Sequence, residues 1–328
     1  MRVFITGATG FIGSAIVREL IDAGHQVLGF ARSEAGAKSL VAAGAQVHRG
    51  GLEDVKSLRS GATAADAVIH TAFIHDFSNF AENCEIDKRA IESLGSALEG
   101  SERPLLVTSG LATVVQGRMA TEQDAPLPAS ASYPRASEVT AETLLKRGVR
   151  VSVVRLPQVH NTVKQGLVTY AIAVARGKGV SAFVGAGLNR WAAVHVLDAA
   201  RLYRLALEKQ EAGARYHAVA EEGVPVRDIA AAIGRGLNVP VVSKSSEEAA
   251  AHFGWLWMFV GRDLTGSSLQ TQRQLGWRPT GPGLIADLEQ QSYSATPVDS
   301  VSAATVRASV ELTEIAERKM KIGRGSQG

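Results

Sequence analysis

The stretch "VFITGATGFIGSAIVREL", residues 3–20, decides the fold. A β-branched and aromatic run ends at Thr6, glycines follow at Gly7, Gly10 and Gly13, and apolar residues recur at Ile12, Ile16 and Leu20. The run predicts a buried strand and the recurrence predicts one face of a helix, so the glycines fill the turn between them. Gly7 permits the tight turn, Gly10 lets backbone approach a pyrophosphate, and Gly13 lets helix close on strand. The helix N-terminus adds amide donors and partial positive charge. A dinucleotide is the expected ligand, because the glycines stand in the strand–turn–helix context that a chance glycine pattern lacks.

Outward from this stretch, "QVLGF", "AQVHR", "DAVIHTA", "PLLVTS" and "RVSVVRL" alternate with helical patterns at 11–23, 34–43, 79–99 and 134–147. Such alternation predicts an α/β protein with a doubly wound parallel sheet of Rossmann type, its strands covered on both faces. The expected organisation is a dinucleotide-binding core over 1–160, completed by about 190–220, with a smaller substrate lobe from 161–189 and 221–295. Within the second half a helix is expected at 166–176, and "WAAVHVLDAARLYRLALEK" opens extended and turns helical near Asp198. A Ser-, Ala- and Thr-rich tail over 296–328 carries a helical pattern at 303–321 and either frays or docks on a partner.

The 328 residues, 45% of them hydrophobic, suffice for a sizeable core. A net charge of +3 with scattered Lys and Arg gives no basic stripe for nucleic acid. One cysteine, Cys84, excludes an internal disulfide, and no His/Cys spacing suggests zinc. With neither a leader-like N-terminus nor an apolar run near the ~18 residues of a membrane span, the expected setting is the cytoplasm.

The end of the second strand selects the nicotinamide. A carboxylate there would hold the ribose 2′-hydroxyl and repel a 2′-phosphate, whereas this chain has Ala31, Arg32 and Ser33. Arg32 can pair with the phosphate and Ser33 can donate to it, so NADP (as NADPH) is the expected cofactor. A solvated surface arginine is the alternative.

"TGATGFIG", "DAVIHTA", "LLVTSG", the "SYPRASE" segment at 132–138, "VVRLPQVH" and "WAAVHVLDAA" together resemble the short-chain dehydrogenase/reductase superfamily, in its extended and atypical branch of NAD(P)-dependent epimerases and dehydratases. The resemblance covers residues 1 to about 290. It implies cofactor contacts from Gly7, Thr9, Gly10, Phe11, Ile12, Gly13, Arg32, Ser33, Leu52, Thr71 and Ala72, with Pro157 and Val159 along the nicotinamide. It also implies a tyrosine that moves the substrate proton, a lysine four residues on, a hydroxyl that polarises the carbonyl, and often an asparagine. Tyr133 matches the first. Ser137 stands in the lysine slot and Lys146 lies too far along. The hydroxyl falls on Thr108 or Ser109, with Gly110 in strict register and Thr113 a further candidate; Asp87 takes the asparagine slot. A homodimer through helices flanking Tyr133 is implied by the resemblance alone.

Lysine stabilises tyrosinate, which oxidation needs at neutral pH, while reduction needs only a neutral phenol. Its loss therefore impairs reduction less. Pro134 suits a first helical turn, which would place Tyr133 at the helix entrance, Ser137 one turn on where it can bond a ribose hydroxyl, and Arg135 pointing elsewhere. Past the fourth strand, His70, His75, Asp76 and Asn79 offer either an acid–base couple or a helix-capping loop, with Phe73 and Phe77 as apolar walls. His160 is a further substrate-site candidate. His195 and Asp198 are read as bracing the lobe, and Trp255, Trp257, Met258 and Phe259 as core or pocket wall. The leading expectation is an NADPH-dependent reductase of an apolar ketone or aldehyde, with Tyr133 as proton donor. The alternatives are a nucleotide-sugar epimerase or dehydratase, and a redox-inactive NADP-binding regulator.

Overall fold

A computed structural model of the chain describes residues 1–76, 79–115, 117–130 and 133–293. The helical pattern at 303–321 and Phe77 lie outside the described residues, as does the side chain of Thr113.

In the first half, strands and helices alternate: β1 (Arg2–Thr6), α1 (Phe11–Asp22), β2 (Gln26–Ala31), α2 (Glu34–Ala42), β3 (Gln46–Arg49), α3 (Val55–Thr63), β4 (Ala67–His70), α4 (Phe80–Ser96), β5 (Leu105–Gly110), α5 (Ser137–Lys146) and β6 (Val151–Leu156). There follow β7 (Gln158–His160), α6 (Leu167–Lys178), β8 (Ser181–Val184), β9 (Arg190–His195), α7 (Val196–Lys209) and β10 (Arg215–His217). The last elements are β11 (Glu221–Pro225), α8 (Val226–Leu237), β12 (Val241–Lys244), α9 (Ser246–Phe253), α10 (Trp257–Val260), α11 (Leu269–Leu275) and α12 (Leu284–Gln290).

Seven strands form one sheet in the order β10-β6-β5-β4-β1-β2-β3. Every pairing in it is parallel. Val3, Phe4 and Ile5 of β1 are fully buried because helices cover both faces: Val3 and Ile5 face the cluster of Ile16, Leu20 and Tyr203, and Phe4 faces that of Leu58, Ile91 and Leu94. Strand order, not chain direction, reverses between β1 and β4, and the crevice outside their carboxyl ends is where such sheets bind ligands. The second lobe holds two small sheets, β11-β9-β7 and β12-β8, and its own core around Trp191, Ile229, Phe253 and Leu288. Among the described residues no helix is long and apolar enough to cross a membrane.

Two elements differ from the sequence reading. Helix α3 is not among the helices read from the sequence; its N-cap is Asp54, whose carboxylate accepts from the amide of Ser57 at 3.0 Å. Helix α5 begins at Ser137, three residues later than the helix expected at 134–147. Pro134 disfavours helical backbone at Tyr133, and Tyr133 instead exchanges backbone hydrogen bonds with Ser130 at 3.0 and 3.1 Å. Residues 133–136 thus lead into the helix without being part of it.

Candidate active site

The glycine turn is a cradle. Gly7 adopts φ +71°, and a side chain on it would stand 2.7 Å from the amide nitrogen of Ala72 and from Thr71 Oγ1. A methyl group on Gly13 would collide with the Gly7 carbonyl oxygen. Gly10 caps α1 without a side chain, so the first amides of the helix, at Phe11, Ile12 and Gly13, have no side-chain cap across them. Thr71 anchors the opposite lip by donating to the Thr6 carbonyl at 2.8 Å. Exposed backbone donors, a helix N-terminus and space kept by glycines fit the pyrophosphate of a dinucleotide.

At the end of β2, Arg32 is exposed and makes no ion pair with another described residue. Ser33 caps α2, accepting from Gly36 N at 3.1 Å. The sequence reading missed Arg49, which reaches across from β3 to donate to Ser33 O at 3.0 Å and to pair with Glu34. Ala31 and Arg49 stand opposite each other in the sheet register, the signal that a strand-pairing argument could have used. Leu52 packs half-buried beside this corner against the second core cluster.

Behind the cradle runs a buried polar relay. His70 is 1% exposed; its Nδ1 meets Thr6 Oγ1 at 2.8 Å and its Nε2 donates to Asp87 Oδ1 at 3.0 Å. The second oxygen of Asp87 accepts from Ser137 Oγ at 2.6 Å, and Ser137 Oγ accepts from Arg135 Nε at 3.0 Å. Burial alone would raise the Asp87 carboxyl, but the hydrogen bond and charge of His70, then Arg135 and Ser137, hold it below the usual carboxylate range. Ser137 is 1% exposed and committed to this relay, so the ribose bond expected of it has no free hydroxyl here. Thr108 is likewise engaged, donating to His70 O at 2.7 Å and meeting the Tyr203 hydroxyl at 2.6 Å. Ser109 is buried on β5.

Tyr133 stands between the two lobes, in a line of edge-to-face rings. His75 meets Phe73 at 5.2 Å, Phe73 meets Phe80 at 6.2 Å, and Phe80 meets Tyr133 at 5.7 Å. On the far side Tyr133 meets Phe259 at 6.4 Å, and Phe259 meets Trp255 at 6.4 Å. Desolvation among these rings raises the phenol pKa, and the charges of Arg135 and Arg262 oppose it only partly, so Tyr133 is a neutral donor at physiological pH. Arg135 comes to the site as well: its guanidinium lies 4.4 Å from the Phe73 ring centre. The expectation that it points away assumed a helix that has not yet begun at residue 135.

Residues 3–220 match the model of the NAD dependent epimerase/dehydratase family. The chain belongs to this family. An uncharacterized protein of Schizosaccharomyces pombe is 50% identical over 297 residues, covering 89% of this chain and 100% of that protein. A 4-hydroxy-2-methyl-3-oxo-4-farnesyl-3,4-dihydroquinoline-1-oxide ketoreductase of Stigmatella aurantiaca is 26% identical over 318 residues, covering 84% of this chain and 92% of that protein. The UDP-glucose 4-epimerase of Thermus thermophilus, solved with NAD, superposes with a TM-score of 0.70 at 20% identity over 89% of this chain and 98% of that one. Family membership makes this a nicotinamide-nucleotide-dependent enzyme of the redox or sugar-modifying kind.

Within this epimerase/dehydratase scaffold, several sequence-predicted residues land elsewhere than expected. His160 is fully buried in the β11-β9-β7 sheet, its Nδ1 2.6 Å from Asp287 Oδ2, and is not on a pocket surface. Trp257 is 53% exposed, so it is not core, while Trp255 and Phe259 supply the aromatic wall. Asp198 and His195 do brace, though through backbone: Asp198 accepts from Thr280 N and Gly281 N at 3.1 and 2.7 Å, and His195 caps α7. Of the residues that the sequence offered past the fourth strand, His70 joins a His–Asp couple, and its partner is Asp87 of α4. Pro157 is half-buried after β6, and Val159 turns its side chain into the core, leaving backbone to line any nicotinamide.

Proposed function

We propose that this enzyme is an NADPH-dependent reductase of an apolar ketone or aldehyde. The observation that carries the reading is Tyr133: a half-buried phenol, kept protonated by its aromatic surroundings, at the joint between the cofactor core and the second lobe. When bound, the nicotinamide supplies hydride. Gly7, Gly10 and the α1 amides would hold its pyrophosphate, and Arg32, with Ser33 and Arg49 beside it, would hold a 2′-phosphate. Tyr133 gives its phenolic proton to the carbonyl oxygen as that oxygen gains charge, and the rings of Phe73, Phe80 and Phe259 exclude water and seat an apolar body.

The missing lysine supports the same direction. Oxidation would require Tyr133 as tyrosinate, and the structure offers a raised phenol pKa and a serine buried against Asp87 instead. The ketoreductase relative is consistent with this reading, whereas an epimerase must oxidise its substrate first. The test is NADPH absorbance with a panel of aryl and alkyl ketones and aldehydes, repeated with NADH and with nucleotide sugars. Steady loss of NADPH, faster than loss of NADH, is expected with carbonyls. Conversion of a nucleotide sugar without net NADPH loss, and no loss with any carbonyl, would replace the reading by an epimerase.

A further inference from the structure

Arg135 is held unlike an arginine on a surface. Its Nε donates to Ser137 Oγ at 3.0 Å and its guanidinium carbon lies 4.4 Å from the Phe73 ring centre, so one edge and one face of the group are fixed. Among the described residues neither Nη nitrogen has a hydrogen-bond partner, and Arg135 meets no carboxylate directly: Asp87 is reached only through the Ser137 hydroxyl. The position is half-buried, where an uncompensated cation is costly. Planar guanidinium groups with two parallel donors left over match the two oxygens of a carboxylate or two of a phosphate.

The surroundings favour an anion too. Arg262 and Arg135 both act on Tyr133, and Lys164 with Arg135 acts on His75. Asp87, the acid within the relay, is 2% exposed and already satisfied by His70 and Ser137. Phe73 carries Arg135 over its ring and meets Phe80 and His75 in T-shaped contacts, so the fork is built into the same wall that flanks Tyr133.

We infer that Arg135 is the specificity residue of the substrate pocket, its Nη fork, unpaired among the described residues, taking an oxyanion carried by the carbonyl compound while the aromatic wall takes the apolar body. This rests on the reductase reading for the word substrate, but the fork itself is tested without turnover. The full chain, loaded with NADP, is titrated calorimetrically with 3-phenylpropanoate, 3-phenylpropanamide and 2-phenylethyl phosphate. The amide has the same body without the charge, and the two anions separate a carboxylate preference from a phosphate one.

One of the two anions is expected to bind at least about tenfold tighter than the amide. Arg135→Met should remove that advantage, Arg135→Lys should retain part of it because charge survives without the fork, and NADPH affinity should be unchanged in both. Equal binding of amide and anions, no binding of any probe, or a loss in Arg135→Met that falls on NADPH instead would each overturn the inference; the last would make Arg135 a cofactor residue. Failure of every carbonyl to consume NADPH leaves this binding result standing and strikes only the reductase reading.

Discussion

At Gly13 the requirement is absolute contact: any Cβ runs into the Gly7 carbonyl oxygen. Gly13→Ala must therefore push α1 away from β1, at a cost of about 1–3 kcal/mol by the usual penalty for overpacking, and it should weaken NADPH binding together with stability. Equal dinucleotide affinity in that variant would show that the cradle is not the binding site. Arg32 makes the opposite kind of claim, since it packs against little and its role is charge. Arg32→Ala should raise the Kd for NADPH by roughly tenfold and leave NADH untouched, because only the 2′-phosphate pairs with it. These residues were legible because glycine spacing and the absence of a carboxylate after β2 are local signals. Arg49 was not, because it is brought beside Ser33 by strand pairing across sixteen positions of chain, one βα unit away.

At the scale of elements, the segment that carries Tyr133 is pinned at both ends by one buried cation. Arg155 of β6 is fully buried; it donates to Thr121 O at 3.3 Å and Asp124 O at 2.6 Å, and to both carboxylate oxygens of Glu138 at 2.9 and 2.5 Å. Thr121 and Asp124 precede Tyr133, and Glu138 opens α5 after it. Removing the Glu138 charge leaves Arg155 uncompensated in the interior, so Glu138→Gln should cost about 3–5 kcal/mol, read as a lower denaturant midpoint. A midpoint unchanged from wild type would remove the clamp from the account. The sequence showed Tyr133 and a helix but not their junction. Proline was read as the first helical residue when its stronger effect was on the residue before it, and that shift of three positions is what turns Arg135 toward Phe73 and buries Ser137.

Over the whole molecule, the strand and helix periods gave the doubly wound sheet, because buried parallel strands and amphipathic helices announce themselves in short windows. What stayed hidden were the contacts between distant segments: the aromatic line through Phe73, Phe80, Tyr133, Phe259 and Trp255, and the His70–Asp87–Ser137–Arg135 relay. The buried histidines make a further global prediction. Burial, then the charge of Arg155, lowers His217 to about 3, and burial, then Lys178 and Lys244, lowers His252 to about 4. An unfolded histidine takes its proton near pH 6.5, so between that pH and about 4 the unfolded chain binds protons that the folded chain does not. Their contribution is complete above the window and is lost as pH falls through it, at up to ~1.4 kcal/mol per pH unit for each group. Urea midpoints should fall steadily from pH 7 to pH 5; a flat profile would show that these imidazoles are not buried as neutral bases.

The measurement that bears most directly on the whole account is carbonyl-dependent NADPH oxidation by wild type and Tyr133→Phe, with the NADPH Kd of each determined alongside. The phenylalanine keeps the edge-to-face contacts with Phe80 and Phe259 and removes only the proton. Reduction is expected to fall by about 10²–10⁴-fold, the usual worth of a positioned general acid, with the NADPH Kd unchanged. Retained turnover in Tyr133→Phe would contradict the account and pass the acid role to His75 or a water.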